Sequence, residues 1–279
     1  MSTHNDHLSD VELGAMTDQL DQMHRDQALP AMHAAVTEWI ESFKEAGQGV
    51  SRKISSRRTF LLGTAGVGAG GVLLAACGSS SKSTSATTIP TPTTASGSLT
   101  GDLAVAATAT SLENLGIYAY KAGLAAATAG KLGKVPPAVA TFAETAMKQH
   151  QDHAAAWNSA LTAAGKAAVT ATDPALTPTV NQKFSQVTNV TELAQLALLI
   201  ENIAAQTYQS AIPALSASSS IAVAATIHPV EMQHAAILYY VLGQYPGIQG
   251  SQANMFSSGS PLAFNPTALA RPAGDYTGS

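Results

Sequence analysis

Cysteine is nearly absent from this chain: 279 residues hold one, Cys77. A single thiol excludes an internal disulfide framework and any zinc or iron–sulfur site built on cysteines. Charge is scarce as well, with Asp, Glu, Lys and Arg making up 11% and a formal net charge of −4. No cluster of basic residues follows Arg58, and beyond residue 100 the cations are Lys121, Lys131, Lys134, Lys148, Lys166, Lys183 and Arg271. Nucleic-acid binding needs a basic footprint and is set aside. An ordinary membrane span is missing too. Residues 60–76 are apolar but short for a spanning helix, and Gly63, Gly66, Gly68, Gly70 and Gly71 interrupt them.

That short run carries a different signal. Ser56-Arg57-Arg58-Thr59-Phe60-Leu61 opens it and Leu74-Ala75-Ala76-Cys77 closes it. The paired Arg57 and Arg58 resemble a twin-arginine export signal. The close resembles a lipobox, whose cysteine is lipidated and becomes the mature N-terminus. The resemblance implies the twin-arginine translocase as a partner and a membrane attachment through Cys77. One acyl chain anchors weakly, so multiple acylation is expected. The implied location is the outer face of the cytoplasmic membrane. Residues 51–77 therefore read as an address and not as fold, and the chemistry is expected after residue 77.

The remaining segments differ in composition. Residues 1–50 form a long leader in which Leu13, Met16, Leu20 and Met23 recur at helical spacing, as do Val36, Trp39, Ile40 and Phe43 after Pro30. Two short amphipathic helices are expected there, serving a cytoplasmic partner; the alternative is a start codon placed too early. The leader histidines His4, His7, His24 and His33 show no metal-ligand spacing. Residues 78–100 are rich in Ser and Thr, cannot bury a core, and read as a tether. From 101 to 245 the sequence is Ala/Leu-rich with helical period, and helices are expected at about 102–130, 136–164, 188–216 and 218–243. Short, long and short connections between them are the loop pattern of a bundle with one crossover, at 165–187. The Gly-, Pro- and Ser-rich residues 246–279 read as an irregular tail.

Within the helical region the sequence repeats. Glu113-Asn114-Leu115 with Tyr120 and Leu124 matches Glu201-Asn202-Ile203 with Tyr208 and Ile212. His150-x-x-His153-Ala154-Ala155 matches Glu231-x-x-His234-Ala235-Ala236. A duplicated helix pair explains both. Glu113, Glu201 and Glu231 each fall on the apolar stripe of their helix, where an unpaired charge costs several kcal/mol even after relaxation. No lysine lies on those stripes, which leaves a metal ion as the obvious partner. Tyr120 and Tyr208, two turns beyond their glutamates, read as core side chains with satisfied hydroxyls or as hydrogen-bond partners near the metal.

These residues resemble the ferritin-like di-iron bundles, which take one Glu from each of two helices and a Glu-x-x-His from each of the other two. Residues 101–245 look like the exported ferritin-like domain proteins of actinobacteria. The resemblance implies an all-α fold, an antiparallel four-helix bundle with one long crossover. It further implies a metal centre formed by Glu113, His150, His153, Glu201, Glu231 and His234. One position departs from the pattern: His150 stands where a carboxylate is expected. Glu144 cannot replace it, lying about 120° around the helix from His150. Three carboxylates neutralise three of the four charges on two divalent ions. Iron or manganese is expected, with zinc or copper open. The implied task is oxidant handling or metal sequestration; an enzyme of this kind would be a metal-dependent oxidoreductase. The alternative is a metal-free bundle acting as a surface scaffold or in stress protection.

Overall fold

The computed structural model describes residues 10–47, 99–243 and 270–272. The motifs at Arg57, Arg58 and Cys77, the tether up to residue 98 and most of the tail lie outside the described residues.

The expected four helices are present within two or three residues of their anticipated ends, apart from the end of the third. They are α3 (Gly101–Thr128), α4 (Pro137–Ala163), α6 (Val190–Ala211) and α7 (Ser218–Val241), and the described residues contain no strand. Local chemistry sets the ends. Helices α3 and α4 both stop at a left-handed glycine, Gly130 (φ 72°) and Gly165 (φ 72°). At each, the next amide folds back to the last turn, Lys131 to Ala126 and Lys166 to Leu161. Helix α6 begins with a reciprocal cap: Asn189 Oδ1 accepts from the Glu192 amide at 3.0 Å, and Glu192 Oε2 accepts from the Thr188 amide at 2.7 Å. It ends early, in a 3-10 turn at Ile212–Ala214, because Pro213 cannot continue the ladder. Pro229, by contrast, sits inside α7 on its exposed side. The residue before it, His228, is likewise inside a continuous helix.

The crossover is more ordered than a connecting loop. It contains a short helix, α5 (Thr177–Phe184), with Pro178 in its first turn, inside the connection expected at 165–187. Asp173, fully buried, accepts from the amides of Ala175 and Leu176 and meets Arg271 Nε at 3.1 Å. Arg271 thus straps the described tail residues onto the crossover.

The leader departs from expectation in a larger way. Helices α1 (Asp10–Met23) and α2 (Leu29–Gly47) are joined through a π-helical turn at His24–Ala28, with helical backbone on both sides. Pro30 does not break the chain, as its position suggested. It lacks the N–H that would bond Asp26, and the amide of Leu29 reaches back five residues to His24 instead. The π turn absorbs the missing bond. The result is one long helix, about 57 Å at 1.5 Å per residue.

The described leader and bundle residues belong to one compact unit. Helix α3 packs on α4, α6 on α7, and α3 on α6, whereas α4 and α7 approach each other at few points. The leader helix lies across both of them at that seam. On one side of His24, Leu13 and Leu20 join Phe142, Ala146, Ala235 and Leu238. On the other, Met32, Val36 and Trp39 join Trp157, Val223, Ala224 and Ile227. The chain's two tryptophans, Trp39 and Trp157, meet edge to face with ring centroids 6.0 Å apart. No described helix is long and apolar enough to cross a membrane.

The Arg271 strap is testable. Arg271→Ala leaves the Asp173 carboxylate buried with the Ala175 and Leu176 amides and the more distant Ser111 hydroxyl, at 3.5 Å, as partners and no cation. The expected loss is about 3 kcal/mol in urea unfolding, the lower end for breaking a buried pair. A change below about 0.5 kcal/mol, typical of a surface site, would show that the strap contributes nothing.

Candidate metal centre

The six residues singled out in the sequence come together in the bundle interior. Glu113 from α3, His150 and His153 from α4, Glu201 from α6, and Glu231 and His234 from α7 are each at most 1% exposed. They form two overlapping groups whose ligand atoms lie within 4.8 Å of one another. One is Glu113, His150, His153 and Glu231; the other is His150, Glu201, Glu231 and His234. His150 and Glu231 belong to both.

The twofold repeat is visible in the hydrogen bonds. Tyr120, on the helix of Glu113, donates to Glu201 Oε1, while Tyr208, on the helix of Glu201, donates to Glu113 Oε1 at 2.5 Å. Trp157 Nε1 in turn donates to the Tyr208 hydroxyl at 2.8 Å. Burial, together with the glutamates they face, pushes both tyrosines well above their usual pKa, so they remain donors. Both readings of these tyrosines hold at once: they pack in the core, and their hydroxyls fix the carboxylates.

The two halves then diverge. His150 Nδ1 lies 2.7 Å from Glu113 Oε2 and its Nε2 lies 3.2 Å from Glu201 Oε1. One imidazole therefore bridges two carboxylates. The ring has room because residue 116 is glycine: a Cβ there would meet the His150 ring at 2.9 Å. In the repeat, Ala204 occupies the equivalent place.

Glu231 behaves differently. It is fully buried, yet neither of its oxygens has a hydrogen-bond partner among the described residues. His153 Nδ1 comes within 2.8 Å of its Oε1 without hydrogen-bond alignment. Buried carboxylate oxygens left without partners are costly. Imidazole and carboxylate lone pairs that converge without bonding each other are the arrangement a metal ion requires. The donor set therefore fits a metal.

Two residues near the centre were not anticipated. Gln149 Oε1 lies 2.8 Å from His234 Nε2, so the amide holds the imidazole whose Nδ1 faces Glu201 at 3.3 Å. The repeat gives no hint of it, because Val230 stands at the matching position. The second is His24, a leader histidine without ligand spacing. Its ring is 3% exposed and stands edge-on to His153 at 5.3 Å between centroids, with Nε2 3.5 Å from Asp152 Oδ2.

The metal-free charges balance internally. Burial raises the Glu113 carboxyl, but His153 and the His150 hydrogen bond outweigh it and hold it down at about 2. Glu201 falls well below its usual value, since His150 and His234 overcome the same penalty. Burial lowers His153, yet Glu113 and Glu231 lift it to about 9. His150 and His234 are raised for the same reason. His24 goes the other way: burial and then His153 press it down to about 4, so it is neutral near pH 7.

A family model for the ferritin-like domain matches residues 101–244. The chain belongs to the ferritin-like domain family. Neither the curated proteins nor the solved structures compared with it gave a match. The all-α bundle and the buried Glu/His clusters agree with membership of that family.

Two outcomes are expected. Gly116→Ala drives a methyl into the His150 imidazole, at an overpacking cost of about 1–3 kcal/mol in chemical denaturation. Unchanged stability would mean that His150 does not need that approach. The second concerns pH. His153, raised to about 9 in the fold, contributes stability that is complete below its unfolded value of 6.5 and is lost as pH rises through 9. His24, lowered to about 4, contributes stability that is present above 6.5 and is lost as pH falls through 4. The melting temperature of the metal-free protein should therefore peak near pH 6.5. A melting temperature that climbs steadily to pH 9 would contradict these ion pairs.

Proposed function

We propose that the bundle binds one or two transition-metal ions, with Glu231 shared between the two groups of ligands. The observation that carries this is the partnerless Glu231 carboxylate at the convergence of His153, His234 and His150. Glu113, His150 and His153 would hold one position, and Glu201 and His234 the other. Iron or manganese suits this carboxylate and imidazole set, and zinc and copper compete for it. A bound redox ion would supply one-electron chemistry toward dioxygen or peroxide, in oxidant handling; without turnover the same site sequesters metal.

The chain's own groups do the rest. Tyr120 and Tyr208 hold Glu201 and Glu113 in place by donating to them, and Gln149 fixes the His234 ring. Burial of every ligand keeps bulk water away. An apolar cavity of about 60 Å³ between α3, α4 and α6 reaches Tyr120 and Phe142, which supports access by a small apolar oxidant.

The address belongs to the same proposal. Arg57 and Arg58 would engage the twin-arginine translocase, which carries folded cargo, and acylated Cys77 would leave the bundle on the outer face of the cytoplasmic membrane. Folding before export allows the site to be filled where the metal supply is controlled.

One observation favours a second reading. His150 already bridges Glu113 and Glu201 with both nitrogens, and its positive charge stands where an ion's charge would. A metal-free bundle held by Glu–His pairs, serving as a scaffold or in stress protection, fits that bridge but leaves Glu231 unexplained.

Counting ions separates the two. The full chain loaded separately with iron, manganese, zinc or copper should retain about one or two ions of the fitting metal, as a ferritin-like site does. Glu231→Ala and His153→Ala should each lose them. Less than about a tenth of an ion for every metal tested would sink the metal reading.

A further inference from the structure

The leader helix is not an appendage, and its position bears on the site. The α4 and α7 backbones stay apart, and their His and Glu side chains meet across the gap. The outer side of that gap is filled by the leader. Leu20 and Met32, 3% and 1% exposed, lie on either side of His24. His24 sits at the π turn, the place where the helix is locally rewound, and faces His153. Neither nitrogen of His24 and neither nitrogen of His153 has a hydrogen-bond partner among the described residues. Buried imidazoles without hydrogen bonds are costly, and the 3.5 Å approach of His24 to part-exposed Asp152 offsets little of that, so this contact serves enclosure more than binding. Farther along the seam, Trp39 covers Trp157, which reaches Glu113 through Tyr208.

We propose that the leader helix is a detachable seal in cis over the metal centre, and that exchange of the ion requires it to leave the α4/α7 seam. This rests on the metal reading above. The seal and the bundle are separated in sequence by residues 57–77. An export step that passed the bundle across a membrane and kept the leader behind would strip the seal.

Both tryptophans lie at this contact, so the test needs no added probe. In the full chain, Trp39→Phe makes Trp157 the only emitter. Leu20→Ala and Met32→Ala are then added to loosen the helix. A second form carries a protease site within residues 84–95, cut and then diluted, in case the double substitution prevents folding; circular dichroism checks that the bundle persists in each. Acrylamide quenching of Trp157 reports whether the helix has left. The rate at which a chelator removes the metal reports whether the site has opened. The expected result is that Trp157 becomes quenchable and metal loss accelerates at least about tenfold, as for a site reached by local opening, with the ion count per chain unchanged. Quenchable Trp157 with an unchanged rate of loss overturns the seal. So does Trp157 shielded in both loosened forms, which would make the leader a permanent fifth helix. If no form binds metal, the metal reading fails, and Trp157 quenching alone decides whether the seam can be uncovered.

Discussion

Three carboxylates in the interior of an Ala-rich bundle set the terms for everything around them. Glu113, Glu201 and Glu231 are each at most 1% exposed, and no lysine or arginine side chain pairs with them among the described residues. Their countercharge must come from His150, His153 and His234, from a metal ion, or from both. An ion pair broken on one side leaves an uncompensated buried charge, so the cluster cannot be built piecemeal. The tyrosine and tryptophan hydrogen bonds, Gly116 and the tight packing of small residues on α3 all serve to hold that cluster still.

The repeat accounts for the cluster's symmetry, and its breaches account for the chemistry. Tyr120 and Tyr208 preserve the twofold by crossing between halves. His150 against Glu231, Gln149 against Val230 and Trp157 against Leu238 break it. The breaks fall together on α4 and α7. His150 satisfies Glu113 and Glu201 by hydrogen bonds, and Glu231 is left with open lone pairs. One glutamate from each half is therefore paired internally, while the third, Glu231, is left without a hydrogen bond. Such a division suits a site with one firmly held position more than a symmetric pair of ions.

Much of this was legible from residue spacing. The four helices, the repeat, and the convergence of the acids come from local rules, since i, i+3 and i+4 positions share a helix face whatever that face meets. The partner of a face is not encoded in its period. Leu13, Leu20, Val36 and Trp39 announced an amphipathic leader but could not say that α4 and α7 would be covered by it. Pro30 looked like a break because propensity counts the lost hydrogen bond, and a π turn can absorb that loss when both flanks are packed. His24 carried no signal for the same reason, as it is brought to His153 only by long-range packing. Helix α5 is short and would not hold by propensity; the Asp173–Arg271 pair anchors it from outside, and its own Val180 packs on Leu115, Leu196 and Ile200.

The leader also constrains the export route proposed for Arg57 and Arg58. A twin-arginine signal places the segment before it and the segment after it on opposite sides of the membrane. In the fold those two parts share a core through Trp39, Trp157, Met32 and Ile227. The packed arrangement and the translocated one therefore exclude each other, and any chain that passes between them must separate α1 and α2 from the seam. The contacts at the seam are apolar side chains and the His24 imidazole, whose ion pair with Asp152 is part-exposed; among the described residues, no salt bridge between the leader and the bundle is buried on both sides. That composition suits separation, because apolar contacts can be released stepwise, whereas a buried ion pair would hold until both charges were exposed together. On the proposed route, the same sequence would carry a closed site before translocation and an open one after it, with no change in the ligands themselves.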